Sequence, residues 1–459
     1  MTFIPSTNPS LGYEEIGRVE ETTKEQIKEK IIVAKTAQNF WKRLTIDKRV
    51  SYLKEVYDLF DKNREKIGLI FSKEMGMPIT QTKDEIQVGM DYFKWYLENA
   101  KKYLSPEITH ETDTEIHTVY FEPKGIVLAL SPWNYPFFLF IWSSMQALLA
   151  GNAVMFKTSK ETILTGKLID EIIQSSSLPK GIFTEIFGPG SLAEGVLREE
   201  SIDFITFTGS TKVGKILSKV ALERGIGCVM ELGGSAPGII FEDADLDKVI
   251  ETIYFMRYSN SGQMCDGLKR LIVHKSRYKE TIEKLIKIIE TKKIGVATSS
   301  DTDIGPLASK NQLDNLQVQY NDAIEKGAEV LYIGKVPKDL DGAYFPPVIL
   351  GNIDFDMKVW KEEVFGPVLP VVTFETIDEA IELANDTIYG LGAYVFTEDK
   401  NIFNKIAPEL QSGMVQLNTL NYCIPASPFG GYKDSGIGRE HGRWGFGEFT
   451  NIKVTSKYK

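Results

Sequence analysis

Apolar residues recur at helical spacing through the first hundred positions. Over 22–42, Ile27, Ile31, Ala34, Ala37 and Trp41 fall on one stripe with charges between them, the period of an amphipathic helix. Segment 51–62 and the segment ending in Tyr92-Phe93-Lys94-Trp95-Tyr96 predict helices in the same way. The pattern changes between 108 and 122. There Glu115-Ile116-His117-Thr118-Val119-Tyr120-Phe121 is rich in β-branched and aromatic types and predicts an exposed strand or half of a hairpin.

From Gly125 the period changes again. Residues 125–156 carry no charge, a run long enough to cross a membrane on length alone. That reading fails on Pro132, Pro136 and the pair Gly151-Asn152, because two prolines in a short span interrupt a continuous helix. The run divides better into a buried strand (126–130), a loop, a helix (138–149) and a second strand (153–157), since strands of a parallel sheet read as unbroken apolar stretches. Strand-like runs at 182–186, 204–207 and 228–230 then alternate with helix-like runs at 162–174, 192–198 and 213–223. This alternation predicts an α/β protein with a doubly wound parallel sheet. A second α/β region follows to about 417, and 449–457 alternates like an edge strand.

Composition narrows the function. The chain has 459 residues, 42% hydrophobic and 25% charged, with a formal net charge of −10. Acidic surfaces repel polyanions, so nucleic-acid and anionic-membrane binding are not expected. Three cysteines in this length suit a reducing compartment rather than a disulfide framework. The first residues show no charged start followed by an apolar core, so a cytoplasmic protein is the expectation. The four histidines lack ligand spacing, and no metal site is expected.

Four positions are candidates for chemistry. Cys265, in Asn260-Ser261-Gly262-Gln263-Met264-Cys265-Asp266-Gly267, has glycines and polar residues around it. It reads as a nucleophile if main-chain N–H groups, for example at a helix start, stabilise its thiolate, and otherwise as a loop thiol. Glu231 closes the apolar run before Leu232-Gly233-Gly234. At the carboxyl end of a sheet strand it is either a buried general base or a solvated loop acid. Gly209-Ser210-Thr211-Lys212-Val213-Gly214 follows a strand and opens a helix, a setting that favours phosphate, although it is not the usual dinucleotide motif. Asn134, in a proline-bounded loop, reads as an oxyanion donor or as a loop amide bonded to its own backbone.

Taken in order, these segments carry a family resemblance. Pro132-Trp133-Asn134, Lys157, Phe207-Thr208-Gly209-Ser210, Glu231-Leu232-Gly233-Gly234, Gly262-Gln263-x-Cys265, Glu363-x-Phe365-Gly366-Pro367 and Pro428-Phe429-Gly430-Gly431 resemble the motifs of the NAD(P)-dependent aldehyde dehydrogenase superfamily over essentially the whole chain. Short succinate-semialdehyde dehydrogenases are the most similar members. The resemblance implies a cofactor-binding domain (1–103 and 122–232), a catalytic domain (233–427) and a small β oligomerisation element (104–121 and 444–459). A homodimer or homotetramer is implied with it.

It also implies residue roles. Cys265 attacks the aldehyde, Asn134 and the Cys265 N–H hold the oxyanion, and Glu231 activates the water that releases the acid. Trp133, Lys157, Ser159, Lys160, Gly209, Ser210, Val213, Leu232, Gly233, Glu363 and Phe365 would surround NAD or NADP. Three residues beyond the ribose lysine, NAD-preferring members often carry an acid, whereas this chain has Lys160. A cation suits a 2′-phosphate, so NADP is favoured, with Glu161 next door as the competing acid. Tyr135, Phe138, Trp142, Arg257, Cys423 and Phe429 would face the aldehyde. Arg257 suits an anionic aldehyde such as succinate semialdehyde, whereas Trp142 suits an apolar or cationic one. Cys228, in a buried strand, is expected to be inert.

Three other readings share these residues. A coenzyme A-acylating dehydrogenase is opposed by Glu231. A cysteine hydrolase would need a histidine at Cys265, and a silent structural homologue is opposed by the intact Cys265, Glu231 and Asn134.

Overall fold

The protein is described by a computed structural model covering residues 2–419 and 424–459. The charge-free run resolves into the strand Ile126–Leu130, the helix Pro136–Leu149 and the strand Ala153–Lys157, with every residue of both strands buried. The helix starts with Pro136 at its first position, where a missing N–H costs nothing. All of its residues except Phe138 are buried. It is a central helix of the core, and among the described residues no helix is long and apolar enough to cross a membrane.

Six strands form the first sheet, in the spatial order Gly436–Ile437, Gly227–Glu231, Phe204–Thr208, Ile126–Leu130, Ala153–Lys157 and Phe183–Glu185. All pairs are parallel except the first. From Ile126–Leu130 the chain moves one way to Ala153–Lys157 and Phe183–Glu185. It then returns to lay Phe204–Thr208 on the other side. Loops at such a reversal part and leave a crevice at the carboxyl ends of the strands. A second sheet of seven strands runs Glu329–Ile333, Val348–Gly351, Val368–Phe374, Leu268–His274, Ala236–Ile240, Gly392–Phe396 and Met414–Leu417. The expected strand near 115–121 spans Glu115–Pro123. It pairs antiparallel with Thr450–Tyr458 along its length and with Glu107–Glu111 on its other edge.

The N-terminal segment departs from the expectation of helices alone. Phe3–Asn8 and Glu14–Glu20 form an antiparallel pair with a bulge at Ser6/Thr7. Pro5 and two nearby glycines leave little periodic signal, and tertiary contacts fix the pair, including Ser6 Oγ donating to the buried Glu74 carboxylate at 2.7 Å. The helix expected over 51–62 is longer, Ile46–Met75, with Thr45 capping its start and Gly76 ending it at φ 83.

Candidate active site

Cys265 lies between the helix Leu246–Tyr258 and the strand Leu268–His274. A turn and a strand follow it, so Cys265 does not itself open a helix. The backbone leading to it is contorted. Asn260, Ser261 and Gly262 all have positive φ (47, 53 and 75), a cost that surrounding bonds must offset. Gln81 Oε1 accepts from Asn260 N at 2.8 Å, Ser261 Oγ donates to Gly305 O at 2.7 Å, and Ala308 N donates to Gln263 Oε1 at 2.9 Å. Asn134, in the loop after Ile126–Leu130, joins the same web. Its Nδ2 donates to Gln263 O at 3.1 Å, and Asn260 Nδ2 donates to Asn134 O at 2.8 Å.

The end of Gly227–Glu231 abuts this loop. A Cβ on Gly234 would lie 2.3 Å from Cys265 O, so only glycine permits the approach. Glu231 is 2% exposed, and neither carboxylate oxygen has a hydrogen-bond partner among the described residues. Burial pushes its carboxyl well above the usual range, and the neighbouring Glu440 pushes it further, against a smaller opposite pull from Arg439. Glu440 is itself buried and raised to about 8, chiefly by burial. Burial also raises the Cys265 thiol strongly, followed by Asp266, Glu363 and Glu231, with Lys269 opposing.

A cavity of about 270 Å³ opens at the sheet reversal. It is lined by Trp133, Asn134, Gly209, Ser210, Leu232, Gly233, Cys265, Glu363 and Phe365, and also by Gln312 and Asn315. Ser210 precedes the helix Thr211–Arg224, whose free N–H groups and dipole favour an anion. Glu363 accepts from Gly234 N at 3.1 Å and stands 3.9 Å from Lys269 Nζ. The Phe365 ring lies edge-on to Trp133 at 5.5 Å, with Lys269 Nζ 4.5 Å from its centre. A Cβ on Gly233 would come within 2.6 Å of Glu363 Oε2. The cavity thus offers flat aromatic faces, an acceptor and a helix N-terminus, a donor set that fits a dinucleotide. Lys157 ends the next strand of the same sheet. It is buried, its Nζ donates to Thr158 O at 3.1 Å, and burial lowers it to about 8. Lys160 is exposed, 3.7 Å from Glu161, whose carboxylate also accepts from Ser159 Oγ at 2.6 Å. Lys157, Ser159, Lys160 and Val213 do not line the 270 Å³ cavity.

The residues expected at the aldehyde divide. Trp142 is wedged among Phe138 (4.3 Å between ring centres), Phe429 (4.9 Å), Tyr92 (5.6 Å) and His441 (4.1 Å). Tyr135, just before that helix, is close enough for the charges of Asp266 and Cys265 to act on its hydroxyl. Arg257 is not brought to the site. It is fully buried, and its guanidinium donates to Leu268 O and Val364 O, so it cannot meet an anionic aldehyde. Cys423 lies outside the described residues. Sequence patterns missed Asp266, Glu440, His441, Lys269, Gln312 and Asn315. Only Asp266, beside the cysteine, and Glu440, nine residues after the Gly430-Gly431 pair, had a local signal.

An α/β crevice that holds a thiol and an amide donor beside aromatic faces and a helix N-terminus, with a buried carboxyl on the adjoining strand, suits a class of two-sheet oxidoreductases. The chain belongs to the aldehyde dehydrogenase family, whose sequence profile matches residues 1–455. It is 34% identical over 465 residues to a peroxisomal aminoaldehyde dehydrogenase of Pisum sativum, covering 99% of this chain and 92% of that one. It is 32% identical to a succinate-semialdehyde dehydrogenase [NADP(+)] of Mycobacterium ulcerans, covering 98% and 99%. The solved betaine aldehyde dehydrogenase of Staphylococcus aureus in complex with NAD+ superposes with a TM-score of 0.94 at 31% identity, covering 99% of this chain and 91% of that one.

Proposed function

We propose that this protein oxidises an aldehyde to its carboxylic acid with a nicotinamide dinucleotide, through a thioester on Cys265. The supporting observation is the shared cavity, in which Cys265 and Asn134 meet the residues suited to a dinucleotide. The bound nicotinamide would accept the hydride. Everything else falls to the chain. Cys265 attacks the carbonyl carbon. Asn134 gives one N–H to Gln263 O, leaves its second for the oxyanion, and the Cys265 N–H is the other donor. The acyl group then stays on sulfur. Glu231, whose carboxyl burial holds well above the usual range and whose oxygens have no hydrogen-bond partner among the described residues, takes a proton from water when ionised. The hydroxide attacks the thioester, and acid and thiol are released. Because Glu231 can generate the attacking water, coenzyme A is not required.

Ser210 would face the pyrophosphate, Glu363 and Phe365 the nicotinamide ribose and ring, and Lys157 the adenosine ribose. NADP is the preferred form in this reading, since Glu161 is engaged by Ser159 and Lys160 and the Lys160 ammonium reaches solvent. The similar proteins act on aldehydes of different charge, by their names, so they leave the substrate open. With Arg257 turned inward, succinate semialdehyde loses the cation that argued for it. Self-association would use the sheet of Glu107–Glu111, Glu115–Pro123 and Thr450–Tyr458, where Ile452, Val454 and Tyr458 are exposed. The decisive experiment follows reduced-cofactor absorbance with an aldehyde panel, both cofactors and no coenzyme A. Turnover that Cys265→Ala abolishes supports the proposal, and turnover only with coenzyme A, or none with either cofactor, overturns it.

A further inference from the structure

We infer that Lys269 is a positioning residue for the dinucleotide: from behind the cavity wall, its ammonium keeps the Glu363 carboxylate charged and turned toward the nicotinamide ribose. The inference rests on the aldehyde dehydrogenase reading above, which puts Glu363 at that ribose, and it gives a task to a residue outside the sequence motifs.

Lys269 lies at the start of the strand Leu268–His274, and its side chain is 0% exposed. Taking an ammonium out of water is costly unless it is well paired, and this one has few partners. Its Nζ donates to Gly262 O at 3.4 Å, stands 3.9 Å from Glu363 Oε1 and lies 4.5 Å from the centre of the Phe365 ring. Glu363 and Phe365 line the 270 Å³ cavity, and Lys269 does not. The cation therefore meets the cavity through these two side chains.

The two oxygens of Glu363 are placed differently. Oε1 is used on the protein side, where it accepts from Gly234 N at 3.1 Å and faces Lys269. Oε2 lies against Gly233, where a Cβ would come within 2.6 Å of it, and Gly233 lines the cavity. The amide and the ammonium thus hold one oxygen and leave the other on the cavity side. Burial raises the Glu363 carboxyl, and Lys269 is the strongest influence against that rise, ahead of the Gly234 N–H and Arg257. Burial lowers Lys269 itself to about 8, so it is charged at neutral pH. The ionisable groups acting on it are Glu363, Arg257, Cys265 and Asp266. Arg257, the other cation here, is committed to Leu268 O and Val364 O. An ionised carboxylate accepts hydroxyl hydrogen bonds roughly twice as strong as those to a neutral acid. With an apolar stem in place of the ammonium, burial returns a proton to Glu363 and those bonds weaken.

The test is binding, read by titration calorimetry without aldehyde. NADPH is compared with 2′-phospho-ADP, and NADH with ADP, because each smaller probe lacks the second ribose and the nicotinamide. At about pH 7, Lys269→Met should weaken both reduced dinucleotides about tenfold, the scale of one ionised hydrogen bond lost. The smaller probes should bind as before. In a Glu363→Gln background the same substitution should cost less than about twofold, since the cation then has no carboxylate to act through. The tenfold loss should also shrink toward about pH 9, where Glu363 ionises unaided and Lys269 gives up its proton. A loss shared by the smaller probes, kept in Glu363→Gln or independent of pH would overturn the inference and leave Lys269 a packing residue. The wild type supplies a second measurement that needs no folded variant. Its affinity for NADPH relative to 2′-phospho-ADP should stay flat between about pH 6.5 and 7.5, above the ordinary carboxylate range. A relative affinity that climbs through that window would show Glu363 protonated despite Lys269 and refute the inference. A protein that gives these binding results yet oxidises no aldehyde would refute the proposed function and leave the task of Lys269 standing, whereas binding of neither dinucleotide overturns both.

Discussion

The side chain of Asn134 donates to the main-chain carbonyl of Gln263 at 3.1 Å, two residues before Cys265. Through this bond the loop after the strand Ile126–Leu130 in one sheet holds the cysteine loop that enters the other. Asn260 returns the link by donating to Asn134 O at 2.8 Å. One N–H of this amide thus fixes the loop, and in the proposed mechanism the other faces the oxyanion.

Asn134→Ala should lower kcat by about 10²–10³, the usual cost of one oxyanion donor. KM for the cofactor should change little, because the other cavity-lining residues remain. The melting temperature should fall as well, since the Gln263 carbonyl loses a buried donor. Steady-state kinetics and thermal unfolding on one preparation separate the two effects. A variant that loses stability but keeps kcat would leave Asn134 a structural clip only.

Cys265→Ala should eliminate aldehyde oxidation and leave dinucleotide binding intact. Trp133 lines the same cavity as Cys265 and touches Phe365 edge-on, so its fluorescence should change on binding in the variant as in the parent. Loss of that signal in Cys265→Ala would mean that the substitution disturbs the cavity, and residual turnover would remove the cysteine from the chemistry.

Lys160→Glu should shift the ratio of kcat/KM values from NADP toward NAD by about tenfold or more, the size of one ion pair to phosphate gained or lost. In the wild type, Glu161 is held by Ser159 and Lys160. Ser159→Ala, which releases Glu161, should move the ratio the same way by less. An unchanged ratio in Lys160→Glu would place the discrimination elsewhere.

Much of this was legible before any coordinates. The run 125–156 already contained the buried strand, proline-bounded loop, helix and strand that carry Asn134 and Lys157, because apolar runs broken by Pro and Gly allow little else. The long helices announced themselves by period. The Phe3–Asn8 and Glu14–Glu20 pair did not, since its register depends on partners such as Glu74 far along the chain. The site divides the same way. Trp133, Asn134, Gly209, Ser210, Cys265, Glu363 and Phe365 line one cavity, Lys157 does not, and Arg257 shows the limit of reading charge from sequence. A guanidinium near the cysteine in sequence turned into the interior to satisfy carbonyls, and spacing alone cannot tell which way a side chain leaves a helix. Asp266, the charge that most alters the thiol, is the very next residue, whereas Glu363, the next in effect, comes from far along the chain, and direction and burial decide what each does.

Buried carboxyls also give the protein an acid-leaning stability. Burial raises Glu74 to about 7 and Glu85 and Glu440 to about 8, whereas an unfolded Glu titrates near about 4.3. Between those values the folded state holds protons that the unfolded state has lost, so stability is full below the unfolded pKa and declines as pH rises through the folded one. His441 acts oppositely, because its folded pKa is depressed. Its contribution is complete above its unfolded value of about 6.5 and is lost as pH falls. Lys157 and Lys269, lowered to about 8, begin to oppose the carboxyls only at higher pH. The carboxyls therefore dominate between about pH 6.5 and 7.5, where each still-protonated group contributes a slope of about −1.4 kcal/mol per pH unit. The melting temperature should fall across that window. Glu85→Gln, which keeps an oxygen for Phe138 N, should make the fall shallower by about one group's share. A melting temperature that rises over the window, or an unaltered slope in Glu85→Gln, would show that these carboxyls are ionised in the folded protein.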